Sequence, residues 1–248
     1  MKLIGIIPAR MAASRFPGKP LYPILGKPML QHVYERAAQF ESWDRLVVAT
    51  CDDEIATFAE SQGYSVIMTG SHHSRALDRV AEAALILGTK NDDIVVCVQV
   101  DEPLLSSDMF SALLRPYEKN PGILSTVLAM QIVEESIWRN PDTVKIVANL
   151  HGEVLYTSRA PIPYNGGVFD SGIEARRIFG LFSFRKEALI SFTEHSQTRL
   201  EKLEACDSNR ILDLPFTQTI APYPYVPAFS VDSPEDILLV EAALTSSE

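Results

Sequence analysis

The chain is poor in cysteine and in unbroken apolar runs, and each shortage narrows what it can be. Cys51, Cys97 and Cys206 stand far apart with no CxxC pairing, so neither a disulfide framework nor a zinc knuckle is predicted, and a reducing compartment fits best. No apolar stretch approaches the roughly 20 residues that span a bilayer. The opening MKLIGIIPAR has too few apolar residues ahead of Arg10 for a signal peptide. A soluble, cytoplasmic protein with no membrane partner is expected. Net positive charge is missing as well: 22 Lys and Arg stand against 32 Asp and Glu, a formal charge of -10, which argues against nucleic acid as a partner. The common phosphate loops are absent, since no GxGxxG occurs and a Walker loop would need Ser or Thr where Pro20 stands. Nor do the histidines form a nucleophilic constellation. His32 falls in a helical pattern, His72 and His73 in a loop, His151 beside a turn and His195 near a helix end.

What is present is a large apolar fraction, 46% of 248 residues, enough to bury a full core as a single domain spanning 1–248. Short β-branched runs alternate with amphipathic stretches: KLIGIIP, PMLQHVYERAAQF, RLVVAT, DEIATFAESQG, YSVIMT, LDRVAEAALILG and DDIVVCVQV. Near-continuous Val and Ile separated by helical patterns predict an α/β open sheet, mostly parallel, with helices on both faces. After residue 120 the alternation loosens. ILSTVLAMQI, TVKIVANL, EVLYTSR and RIFGLFSFR read as strands of a mixed sheet, and APIPYNGGVFDSGIE as a long functional loop. RLEKLEACDSNRILD has helical charge spacing, and SPEDILLVEAAL reads as a closing helix capped by Ser233, with Glu235 and Asp236 in its first turn.

Ligands of open α/β sheets bind at the carboxyl ends of the strands, and three charged segments fall there. The first, IIPARMAASRFPGKPL, sets Arg10, Ser14, Arg15, Gly18 and Lys19 directly after a strand. Guanidinium forks, an ammonium and accessible backbone amides suit a triphosphate or leaving pyrophosphate. The second is VQVDEP, where Asp101 and Glu102 follow an apolar strand. The third is SVDSPED, where Asp232 follows a short extended segment. Two strand-end aspartates plus a cationic loop predict metal-assisted phosphoryl or nucleotidyl transfer, with Mg²⁺ held by one or two carboxylates and the substrate's phosphates.

IPARxxxSRxPGKPL, PMLQHVYERA, VQxDEP, the VKIV…LYxSRAPIPY stretch and VDxPED, in this order, resemble the 3-deoxy-manno-octulosonate cytidylyltransferase family, the CMP-Kdo synthetases, over nearly the whole chain. The resemblance implies a Rossmann-like fold of the nucleotide-diphospho-sugar transferase type. It also implies an enzyme that joins CTP to the anomeric hydroxyl of an acidic ketose with Mg²⁺, releases pyrophosphate, is usually a homodimer, and serves a glycan pathway such as lipopolysaccharide synthesis. Carried over by position, Lys19, Arg10 and Asp101 are the catalytic set. Arg10, Ser14, Arg15, Lys19, Asp78 and Arg79 face the nucleotide, Gln99, Arg159 and Asp207 the sugar, and Asp101 and Asp232 the metal. A sugar-binding and dimerisation subregion is expected around 160–215.

The chain departs from the family pattern in two places. HxSGTxR is replaced by His73-Ser74-Arg75-Ala76-Leu77-Asp78-Arg79, and the glycine of QGDEP by Val100. On the sugar side Ile178 stands for His, Phe182 and Phe184 for Tyr, Gly166 for Arg, and Asp207-Ser208 for Glu-Gln. Losing several hydrogen-bonding groups together predicts an acceptor related to 3-deoxy-manno-octulosonate but changed from it, unless Arg159, Asn165, Arg176, Arg177 and Asn209 compensate and the specificity is kept. Two alternatives stay open: transfer from another nucleoside triphosphate, and a non-catalytic nucleotide or sugar-phosphate sensor.

Overall fold

Strands rich in β-branched residues form where both faces can be covered, and the first half of the chain repeats that unit. The computed structural model describes residues 1–12, 16–73 and 75–246. Strand β1 (Leu3–Pro8) leads through a short hairpin, β2 (Pro23–Ile24) and β3 (Lys27–Pro28), into helix α1 (Met29–Ala38). Then come β4 (Arg45–Thr50), α2 (Asp53–Ser61), β5 (Val66–Met68), α3 (Ala76–Ile86), β6 (Ile94–Val98) and α4 (Ser107–Lys119). The second half holds β7 (Ser125–Gln131), α5 (Glu135–Arg139), β8 (Lys145–Ala148), β9 (Val154–Ser158), β10 (Arg176–Arg185), α6 (Lys186–Glu194), α7 (Arg199–Glu204), β11 (Thr219–Tyr223) and α8 (Asp236–Thr245).

The described residues form one nine-stranded sheet with main path β11-β7-β10-β6-β1-β4-β5; β8 pairs β10 beside that path and carries β9. Parallel pairing joins β1 to β4 and β6, β4 to β5, and β7 to β11. β10 is antiparallel to both β6 and β7. This is the mixed, mostly parallel α/β sheet expected from the sequence. Alternation along each strand feeds two cores. Ile7, Val48 and Val96 pack under α1, α2 and α4, while Ile6, Val47 and Val95 pack under α3 and α6.

Four local expectations change. The helical pattern over 199–213 breaks at Ala205, whose φ of 47° is left-handed, and a 3-10 turn runs from Asp207 to Asp213. The break lets buried Arg210 fold back onto buried Glu201, at 2.5 and 3.0 Å. The closing helix begins at Asp236, and its capping runs the other way: Asp236 Oδ2 accepts from the Asp232 and Ser233 backbone N–H groups at 2.9 and 2.8 Å. Asp232 therefore leaves an irregular segment, 224–231, rather than a strand. Finally Phe182 and Phe184 of RIFGLFSF, set on the sugar side by the family pattern, belong to the interior strand β10. Phe182 and Phe184 are buried with Leu189 and Phe192 in the core beneath α6, so their lost Tyr hydroxyls have no sugar to meet there.

Candidate active site

Because β1 and β6 are parallel neighbours, their carboxyl ends open side by side. Arg10 beyond β1 and Gln99 and Asp101 beyond β6 line a cleft of about 190 Å³, walled further by Lys19, Arg75 and Arg79. Lys19 arrives by a tight turn. Gly18 adopts a φ of 75°, a conformation open to glycine at little cost, and its N–H donates to the Met11 carbonyl at 2.9 Å.

Lys19 Nζ donates to Asp101 Oδ2 at 2.8 Å and to the Val231 carbonyl at 2.8 Å, with its side chain only 12% exposed. The Val231 N–H in turn donates to the Asp101 carbonyl at 2.9 Å, so Asp232, the next residue, stands beside the end of β6. Asp101 Oδ1 is buried and accepts no hydrogen bond among the described residues. Such an oxygen is costly to leave unpaired, and a hard cation would satisfy it. The orphaned Asp101 oxygen thus fits Mg²⁺, whereas Asp232, which follows Val231 in the chain, is not among the residues that line the cleft. No cluster of three or more His, Cys, Asp or Glu suited to a metal occurs among the described residues.

The other expected residues divide. Arg10 Nη1 makes one long bond, 3.4 Å, to the His73 carbonyl, which leaves most of its donors for a ligand. Arg79 is 2% exposed and already engaged, donating to Thr69 Oγ1, to the Gly70 carbonyl at 3.3 Å and to Cys51 Sγ at 3.3 Å. Asp78 accepts from Arg75 Nε at 3.2 Å. Ser14 and Arg15 lie outside the described residues. Gln99 lines the cleft, but Arg159 and Asp207 do not. The Arg159 guanidinium donates to the carbonyls of Pro141, Asp142, Glu204 and Ala205. Burial, then the charge of Glu201, raises the Asp207 carboxyl above its usual range.

Two further residues bear on the site. Arg75 lines the cleft where the family pattern has a small polar residue, and its Nη1 donates to Glu201 at 2.6 Å. Glu102 is 3% exposed, and its Oε1 accepts from the Gly180 N–H at 3.0 Å and the Ser230 hydroxyl at 2.7 Å. Burial, then the neighbouring Asp101 charge, holds its carboxyl above the usual range. The sequence showed Glu102 after an apolar strand but gave no sign of a partner 128 residues on.

A family model described as Cytidylyltransferase matches residues 4–215. A 3-deoxy-manno-octulosonate cytidylyltransferase of Nitratidesulfovibrio vulgaris is 42% identical over 94% of this chain and 92% of its own length. An 8-amino-3,8-dideoxy-manno-octulosonate cytidylyltransferase of Shewanella pealeana is 36% identical over 99% of each chain. Among solved structures, that of CMP:2-keto-3-deoxy-manno-octonic acid synthetase complexed with CTP superposes with a TM-score of 0.88 at 30% identity, covering 100% of both chains. With the cleft at the ends of β1 and β6 and matches of this length, the chain belongs to the cytidylyltransferase family and is an enzyme of its CMP-sugar synthetase branch.

Proposed function

We infer that this enzyme transfers CMP from CTP to the anomeric hydroxyl of an acidic 3-deoxy ketose, with Mg²⁺ as cofactor and pyrophosphate as leaving group. The observation that carries the reading is the junction of Lys19, Asp101 and Val231, where an ammonium meets a carboxylate that has one oxygen without a partner among the described residues, one residue before Asp232 in the chain. Relatives named for 3-deoxy-manno-octulosonate and for its 8-amino analogue support the acceptor class, and the solved relative complexed with CTP supports the nucleotide.

The anomeric oxygen attacks the α-phosphorus in line. A new P–O bond forms to the sugar, the bond to the bridging oxygen breaks, its electron pair leaves with pyrophosphate, and the hydroxyl proton passes to solvent. Lys19 and Arg10 hold phosphate oxygens where negative charge grows, so they stabilise the transition state more than the bound triphosphate. Mg²⁺, when held by Asp101 and Asp232, supplies further positive charge against the phosphates. Gln99 faces the sugar across the cleft floor. Arg79 walls the cleft while bonded to Thr69, Gly70 and Cys51, Asp78 holds Arg75, and Arg159 braces the 204–205 turn from outside the cleft.

Pyrophosphate release with CTP and Mg²⁺ tests the reading across 3-deoxy-manno-octulosonate, its 8-amino analogue and other acidic sugars. Turnover with at least one, lost on chelation, is expected. No turnover with any of them, while CTP still raises the melting temperature of the folded protein, removes the transfer reading. A homodimer is part of the proposal, since Tyr164, Val168 and Leu203 are 78%, 59% and 71% exposed within the expected subregion. Light scattering at twice 27.5 kDa checks it.

A further inference from the structure

Residues 224–231 form neither helix nor strand, yet the last of them, Val231, donates its N–H to the Asp101 carbonyl at 2.9 Å and leads directly into Asp232. Ordering such a segment costs conformational entropy, so contacts must hold it in place. Three side chains do so. Arg177 Nη2 donates to the Ala228 carbonyl at 2.6 Å, the Ser230 hydroxyl donates to Glu102 Oε1 at 2.7 Å, and Lys19 Nζ donates to the Val231 carbonyl at 2.8 Å. Of the three, Glu102 alone is the chain neighbour of Asp101, and it grips the loop two residues ahead of Asp232. We propose that Glu102 is a positioning residue for the divalent cation, a clasp through Ser230 that fixes Asp232 against Asp101.

The clasp is anchored on its far side as well. Glu102 Oε1 accepts from the Gly180 N–H at 3.0 Å, which ties it to β10. A Cβ on Gly180 would lie 2.7 Å from that oxygen and 2.8 Å from Glu102 Cγ, so the glycine makes the room the carboxylate occupies. Glu102 does not line the cleft, which separates it from groups that touch nucleotide or sugar. Burying a carboxylate is costly, and one that bridges a strand end, a neighbouring strand and an irregular loop has a geometric purpose beyond solubility.

This inference rests on the reading that Asp101 and Asp232 hold a divalent cation, so its test uses Mn²⁺ as the probe. Mn²⁺ binding in the presence of CTP is read from loss of the free-ion paramagnetic resonance signal. CTP binding without metal is read from thermal shift in chelator. Glu102→Ala is expected to raise half-saturating Mn²⁺ roughly tenfold to a hundredfold, and Ser230→Ala about fivefold, the worth of one hydrogen bond. Metal-free CTP binding stays as in the parent. Glu102→Gln keeps an acceptor oxygen for Gly180 and Ser230 and recovers most of the parent's metal affinity. Should Glu102→Ala fail to fold, Ser230→Ala, which removes one hydroxyl, decides alone. Unchanged Mn²⁺ affinity in Ser230→Ala overturns the clasp, as does an equal loss of metal-free CTP binding. A parent protein that binds CTP but no Mn²⁺ removes the cation reading and the clasp with it, whereas unchanged variants of a metal-binding parent remove the clasp alone.

Discussion

The cleft between β1 and β6 and the region built from β8, β9, α7 and the 207–213 turn are both rich in charge, and they use it in opposite ways. At the cleft, among the described residues, Arg10 has a single long internal bond, and Asp101 keeps one buried oxygen without a partner. In the second region several charges are consumed internally. Lys145 donates to three backbone carbonyls, at 2.7, 2.7 and 2.6 Å. Arg159 spends its guanidinium on four carbonyls, and Arg210 closes on Glu201 with both at most 3% exposed. Charge that the fold has satisfied stabilises structure. Charge that it leaves with spare valence is available to a ligand.

Substitutions on the two sides should therefore read out differently. Asp101→Asn removes an anion from the cleft and is expected to cut turnover about a thousandfold with little change in melting temperature; parent-like Mg²⁺-dependent pyrophosphate release would break the comparison at its strongest point. Lys19→Ala should lower kcat/KM about a hundredfold, through rate and CTP affinity together, as steady-state kinetics would separate. Glu201→Ala, on the other side, strands Arg210 and is expected to cost about 3 kcal/mol of folding stability, seen in urea titration. Arg75→Ala sharpens the boundary because that side chain touches both regions. About a fivefold rise in the KM for CTP or sugar, with a small stability loss, would assign its spare donor to the cleft.

The sheet was readable where the pattern was local. LIGIIP, RLVVAT and IVVCV are apolar on both faces, which only a doubly covered sheet satisfies. Two of the three cleft segments were readable for a similar reason, since charges set directly after such strands must lie at one edge of the sheet. The third was legible only in its carboxylate, because Ser230 and Val231, which lead into Asp232, are held by bonds with Glu102 and Lys19 rather than by a strand. What pattern could not separate was a guanidinium offered to a ligand from one satisfied by carbonyls. Arg10 and Arg159 look alike in sequence, and the difference lies in where residues 141–142 and 204–205 fold. The break at Ala205 was hidden for the same reason, since its cause is a buried ion pair between residues nine apart.

Lys19 and Val231 are separated by 212 positions along the polypeptide. A chain emerging from the ribosome can lay down β1 through β6 early, but the Lys19–Val231 bond cannot form until nearly its last residues are free. Contacts of such long range slow folding, and an enzyme truncated before that bond can form would carry a sheet resembling the mature one and remain chemically silent.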